Sequence, residues 1–197
     1  MTPWLWVVVA YLIGSVPSGY LIGKYIYHVD LKHLGSGNIG ATNAYRILGL
    51  KAAVFVFLCD FVKGMLAVWL GEPDPLIAVL CAFLAIVGNN WSVFLHFKSG
   101  RGVACGVGAF TWICPPAAGC AFLVWLIIFL WKRIVSLASI IAAPFVPIVM
   151  YLVHEPAEST IFGVLAALLV IVRHKDNIRR LLHGEEKPIS HNKKVAS

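Results

Sequence analysis

The 197-residue chain is 60% hydrophobic and only 13% charged, with a mean hydropathy of +0.85. Soluble domains carry about a quarter charged residues, so this composition excludes an ordinary soluble domain and places the chain in a bilayer, where six or seven spans with short loops would use nearly all of it. Residues 1–197 therefore read as a single membrane-embedded domain, and the formal charge of +7, from 16 Lys and Arg against 9 Asp and Glu, is informative through where it falls along the chain.

The first apolar run, roughly 4–23, is followed rather than preceded by charge at Lys24 and is interrupted by Pro and Gly, so it reads as a span and not as a cleavable signal. Trp4, Trp6, Tyr25, Tyr27, Trp125 and Trp131 lie near predicted span ends and read as interfacial anchors. A polar cluster then runs from Leu34 to Arg46, in which Gly35, Gly37 and Gly40 permit tight turns and Ser36, Asn38, Thr42 and Asn43 supply short polar side chains. Thr42 or Asn43 is placed to cap a helix that carries Arg46 one turn later. Amides, hydroxyls and a guanidinium in one segment without an acid suit an oxyanion such as phosphate.

The run 52–70 contains Asp60 and Lys63, an i,i+3 pair that would neutralise two charges in hydrocarbon. The run 75–97 leads into a second cluster, Lys98-Ser99-Gly100-Arg101-Gly102, where a glycine-rich bend feeding a helix N-terminus again favours an anion. The run 103–131 is broken by Pro115-Pro116 and is either one kinked span or two short ones. Ser136 and Ser139 open the run 134–153, and 158–172 ends at a third cluster, His174 to Glu186, which is basic and amphipathic if helical. His174, which opens this cluster directly after the span, is the best candidate general acid or base.

Charge decides between one crossing and two over 103–131. With two, Lys24–Lys51, Lys98 with Arg101, Lys132 with Arg133, and Arg173 onward all share one face, while the opposite loops hold Glu72, Asp74, His154, Glu155 and Glu158 and no Lys or Arg. The expectation is an all-α integral membrane protein with seven transmembrane helices, some short, the N-terminus outside and the C-terminus cytoplasmic. All three polar clusters then face the cytoplasm. The five cysteines form no CxxC pair and mostly lie in apolar runs, so neither a disulfide framework nor a metal site is expected.

Together these clusters resemble the acyl-phosphate-dependent glycerol-3-phosphate acyltransferases of bacteria, the PlsY family. The resemblance covers the start Tyr11–Lys24, the Gly35–Arg46 motif, Asp60–Gly64, Val93–Lys98, Val135–Ser139 and His174–Glu186. It departs at the second motif, with Asn89 where the family has histidine and Arg101 where it has lysine; lysine to arginine keeps the charge and changes the hydrogen-bond geometry.

The resemblance implies a small seven-helix enzyme of the bacterial inner membrane, active site at the cytoplasmic face, that moves a fatty acyl group from acyl phosphate to the sn-1 hydroxyl of glycerol 3-phosphate. It implies no cofactor and no nucleic-acid partner. It also implies that Ser36 and Arg46 hold the acceptor's phosphate, with Gly37 and Asn38 in the same loop and Thr42 and Asn43 shaping it. Ser99, Gly100, Arg101, Gly102 and Ser139 would line the binding site, and His174 and Asn177, with Ser36 and Arg101, would stand at the reacting centre. Two other readings stay open on sequence alone: a paralogue with a changed donor or acceptor, and a non-enzymatic phosphate-ester-binding protein or transporter.

Overall fold

The computed structural model describes residues 3–190, so the expected domain 1–197 extends beyond the described residues at both ends. Within them the regular structure is helical, and each helix boundary has a local cause. Helix α1 (Pro3–Ser15) stops at Pro17, which lacks an amide for the ladder; the chain resumes as α2 (Ser18–Leu21) and a π-helical turn, Ile22–Ile26. After the first loop come α3 (Ala41–Leu48) and α4 (Leu50–Gly71), then α5 (Pro75–Asn90), capped by the Asp74 carboxylate on the amides of Leu76 and Ile77.

The run 103–131 is two helices, α6 (Val103–Ile113) and α7 (Pro115–Lys132), parted at Cys114 ahead of the two prolines. The run 134–153 is also divided, into α8 (Val135–Ala142) and α9 (Phe145–Leu152), with Pro144 at the break. Helix α10 (Ala157–Arg173) bends by 58° into the short amphipathic α11 (Lys175–Leu182).

Among the described residues five segments are long and apolar enough to cross a membrane: Pro3–Ile26, Leu50–Gly71, Pro75–Leu95, Pro115–Lys132 and Val135–Leu152. The bent α10–α11 pair makes a sixth, and α6 is apolar but only 11 residues long, about 16 Å of helix against a hydrocarbon core of about 30 Å. That short helix is buried among its neighbours. Gly64 of α4 stands against the backbone of Cys105 and Ala109, and Gly108 of α6 against the carbonyl of Phe61. A methyl group at either position would force the two backbones apart.

The core of this part is small-residue packing: Ala10, Cys81, Ala82, Ala85, Cys105 and Ala109 are fully buried. Asp60 and Lys63 are buried and 2.7 Å apart. Lys63 Nζ also donates to the carbonyl of Val16, which lies at the break between α1 and α2. The pair therefore neutralises itself and ties the broken first span, just upstream of the first polar loop, to α4.

Candidate active site

The first loop is braced from inside by Asn43. This buried side chain accepts from the Ser36 amide at 2.9 Å and donates to the carbonyls of Leu34 at 2.9 Å and Leu31 at 3.2 Å. Asn38 Oδ1 accepts from the Gly40 amide at 2.8 Å. Helix α3 starts at Ala41 with Gly40 as its N-cap and no side-chain cap. Neither Thr42 nor Asn43 caps it, because the helix already begins at Ala41 and both lie inside its first turn. Arg46 follows one turn after Thr42 on the same short helix.

The second loop is held by Asn89 at the end of α5. Its carbonyl accepts from the Gly100 amide at 2.9 Å and its Oδ1 from the Gly102 amide at 3.2 Å. These glycine amides are thus used by the protein; the amides a helix leaves unpaired for an anion are those of Val103 to Cys105, in the first turn of α6. Gly102 has φ +74°, and a Cβ there would meet the Asn90 amide nitrogen at 2.6 Å, so only glycine suits this corner. Arg101 is half-buried. Burial, reinforced by Arg180, Arg46 and Arg173 and opposed by Glu186, lowers its pKa to about 10, still cationic at neutral pH.

In the third cluster His174 sits at the bend between α10 and α11 and is 2% exposed. Its Nδ1 is 2.7 Å from the Val170 carbonyl. A carbonyl can only accept, so Nδ1 carries the proton and Nε2 keeps its lone pair. Burial first, then the charge of Arg101, pushes the His174 pKa down to about 4, so the ring is neutral at pH 7.

Asn177, in the first turn of α11, donates from Nδ2 to Glu186 Oε1 at 2.5 Å. A carboxylate must receive the amide NH2, which fixes the rotamer and leaves Asn177 Oδ1 as a buried acceptor with no partner among the described residues. Glu186 also accepts from Ser136 Oγ and from Arg180 Nε, both at 2.6 Å. Burial would raise its pKa, but these hydrogen bonds outweigh it and hold the carboxyl below its ordinary value.

All three clusters converge on one cavity of about 680 Å³. Arg46, Arg101, Ser139, His174 and Asn177 line its polar part. About 12 Å below, eight residues along α6 from Gly102, its walls are Phe110, Val146 and Ala166. One side is open: Val54 and Phe57 of α4 and Phe122 of α7 line the cavity while being 47%, 39% and 53% exposed, so it reaches the outer apolar surface between these helices.

A second, smaller pocket of about 190 Å³ adjoins the polar part and is lined by Ser36, Gly37, Asn38, Ser99, Arg101 and Asn177, among others. Every site residue expected from the sequence, including Thr42, Asn43, Gly100 and Gly102, lines one of these two spaces. Trp125, read from sequence as an interfacial anchor, is instead cavity wall: it stacks on Phe122 and Phe129 and donates to Ser139 Oγ at 3.2 Å.

Two bracing groups were given no structural role by the sequence: Glu186 stood as the end of the third cluster, and Asn89 as the position where the resembled family has histidine. Neither setting reveals partners 50 residues distant (Glu186 to Ser136) or 13 distant (Asn89 to Gly102).

The family model for glycerol-3-phosphate acyltransferase matches residues 4–184. Similar proteins include glycerol-3-phosphate acyltransferase 2 of Moorella thermoacetica, 47% identical over 91% of this chain and 93% of its own length. The glycerol-3-phosphate acyltransferase of Aquifex aeolicus is 41% identical over 91% of this chain and 95% of its own. The crystal structure of PlsY, an integral membrane glycerol 3-phosphate acyltransferase, in its glycerol 3-phosphate form superposes with a TM-score of 0.92 at 38% identity, covering 96% of each chain. Its lysophosphatidic acid form gives 0.89, covering 95% of each. The fold is thus that of a multi-pass integral membrane protein.

Proposed function

This chain belongs to the glycerol-3-phosphate acyltransferase family, and on that premise we propose that it transfers a fatty acyl group from acyl phosphate to the sn-1 hydroxyl of glycerol 3-phosphate, giving lysophosphatidate and phosphate. One observation carries the reading: a single cavity joins a polar end, with Arg46, Arg101, His174 and Asn177, to an apolar end that opens toward lipid. An anionic acceptor and an acyl donor can meet there.

Acyl phosphate is a mixed anhydride, so its carbonyl is already activated and phosphate leaves readily. The enzyme need only align the hydroxyl with the carbonyl and stabilise the developing oxyanion. Arg46 and Ser36, with Gly37 and Asn38 beside them, hold the acceptor's phosphate. Thr42 lines the same wall. Arg101, between Ser99-Gly100 and Gly102, and the first-turn amides of α6 hold the donor's phosphate; Ser139 closes that wall.

The orphan Oδ1 of Asn177 accepts the acceptor's hydroxyl proton as a hydrogen bond and aims the oxygen. The hydroxyl oxygen attacks the carbonyl carbon, the carbon–oxygen bond to phosphate breaks, and phosphate departs with the bonding electrons. The proton passes to His174 Nε2 or to a phosphate oxygen of the substrate. The Nδ1-protonated tautomer of His174 leaves the Nε2 lone pair free for the first route.

The whole chain 1–197 acts as one domain of seven spans, α6 being the short one. Its N-terminus lies outside, and its C-terminus and active site lie on the cytoplasmic side of the bacterial inner membrane; the one-sided distribution of Lys and Arg supports this. The test is to incubate the purified protein with glycerol 3-phosphate and palmitoyl phosphate, palmitoyl-CoA or palmitoyl-acyl-carrier-protein in parallel. Lysophosphatidate should form with palmitoyl phosphate, and its absence with every donor would remove the reading. Cysteine-accessibility labelling of the loops at residues 72–75 and 98–102 from each side of the membrane tests the topology.

A further inference from the structure

Arg173, the last residue of α10, makes a set of contacts that the reaction does not use. Its Nε donates to Asn90 Oδ1 at 3.1 Å, and its Nη2 donates to the carbonyls of Asn90 at 3.3 Å and Gly100 at 2.9 Å. The guanidinium carbon lies 4.9 Å from the centre of the Trp91 ring. Asn90 is itself fully buried and anchored, its Nδ2 donating to the Ile86 carbonyl at 2.9 Å. These bonds are charge-assisted and end on groups that can only accept.

They join three pieces that are distant in sequence: the end of α5, the glycine loop before α6, and the bend after α10. Gly100 immediately precedes Arg101, and Arg173 immediately precedes His174. One guanidinium is therefore bonded a single peptide away from each of two proposed reacting-centre residues.

We infer that Arg173 is a positioning residue for acyl transfer, a fork that sets the separation between Arg101 and His174 by tying the Gly100 carbonyl to the end of α5. The inference rests on the acyltransferase reading of the site. Lysine cannot replace the fork: a point ammonium on a flexible stem cannot hold the Asn90 side chain and the Gly100 carbonyl in fixed directions and also stack on Trp91.

The charged groups that face His174 are Arg101 from the second loop, Arg173 from α10 and Glu186 from the C-terminal segment. Arg173→Lys keeps all three charges and loosens only the geometry. The experiment compares wild type with Arg173→Lys in detergent or nanodiscs, measuring Tm and the pH dependence of kcat with palmitoyl phosphate and glycerol 3-phosphate. The expected result is a Tm close to wild type, a roughly 10–100-fold loss of kcat, and an acidic limb displaced to higher pH as Arg101 ceases to be held beside His174. A merely structural role would lower Tm and the yield of active enzyme while leaving the limb in place.

Asn90→Ala removes the same anchor from the other side and should give the same pattern, which covers the case of a poorly folding Arg173→Lys. Wild-type kcat and an unmoved limb in either folded variant would overturn the inference, as would loss of folded protein in both, since Arg173 would then be a folding residue. A wild-type enzyme with no acyl transfer in the same assay would instead count against the functional reading itself.

Discussion

At the scale of single residues, neighbours set the protonation states in the candidate site. His174 is held near pKa 4 by burial and by Arg101, so it is available as a base at all pH values above that, and the acidic limb of wild-type kcat that reports it lies near 4 rather than near 6.5. Arg101→Gln removes the second of these causes and leaves burial, so the limb moves upward, toward but not to 6.5; a pH–rate series on both proteins checks the sign. His174→Ala should cost about 10²–10⁴ in kcat, measured as lysophosphatidate formation at saturating substrates. His174 and Asn177 were legible in the sequence as polar residues directly after a span. The tautomer was not, because the group that fixes it, the Val170 carbonyl, belongs to an apolar run and main-chain acceptors leave no mark in side-chain identity.

At the scale of elements, the segment after α11 acts as a strap. Glu186 gathers Ser136 from α8 and Asn177 and Arg180 from α11, and the Ile189 amide donates to the Arg133 carbonyl at 2.8 Å. Glu186→Ala would leave three donors without their acceptor, one of them on Asn177. A cost of about 2–4 kcal/mol follows, visible as a lower Tm with a fall in kcat. Gly108→Leu should be worse for folding, since α4 and α6 cannot part without breaking the buried interface around Cys105 and Ala109; the yield of monodisperse protein measures it.

The break at Pro115-Pro116 was readable, because proline carries its effect in its own chemistry, whereas the division of 134–153 at Pro144 was not anticipated. The role of Trp125 was not. An aromatic near a span end has the same local signature whether it meets lipid or a cavity, and only the placement of α8, with Ser139, decides.

At the scale of the molecule, apolarity made the membrane legible and the three polar clusters stood out as separate motifs, whereas the cavity that unites them exists only once α4, α6, α7, α8 and α10 are assembled. Its open side between α4 and α7 predicts weak chain-length selection. A chain longer than the cavity can run out between Phe57 and Phe122 into lipid, so lauroyl and palmitoyl phosphate should differ by less than about tenfold in kcat/KM, no more than a single methylene can be worth in an enclosed site. A steep optimum at one length would show that the opening is closed during turnover.

The same opening means that the two reactants are counted in different dimensions. The polar one is met per unit volume of water, the greasy one per unit area of membrane. Adding inert lipid vesicle surface at constant total acyl phosphate should therefore slow the enzyme by two-dimensional dilution, while leaving its response to dissolved glycerol 3-phosphate untouched.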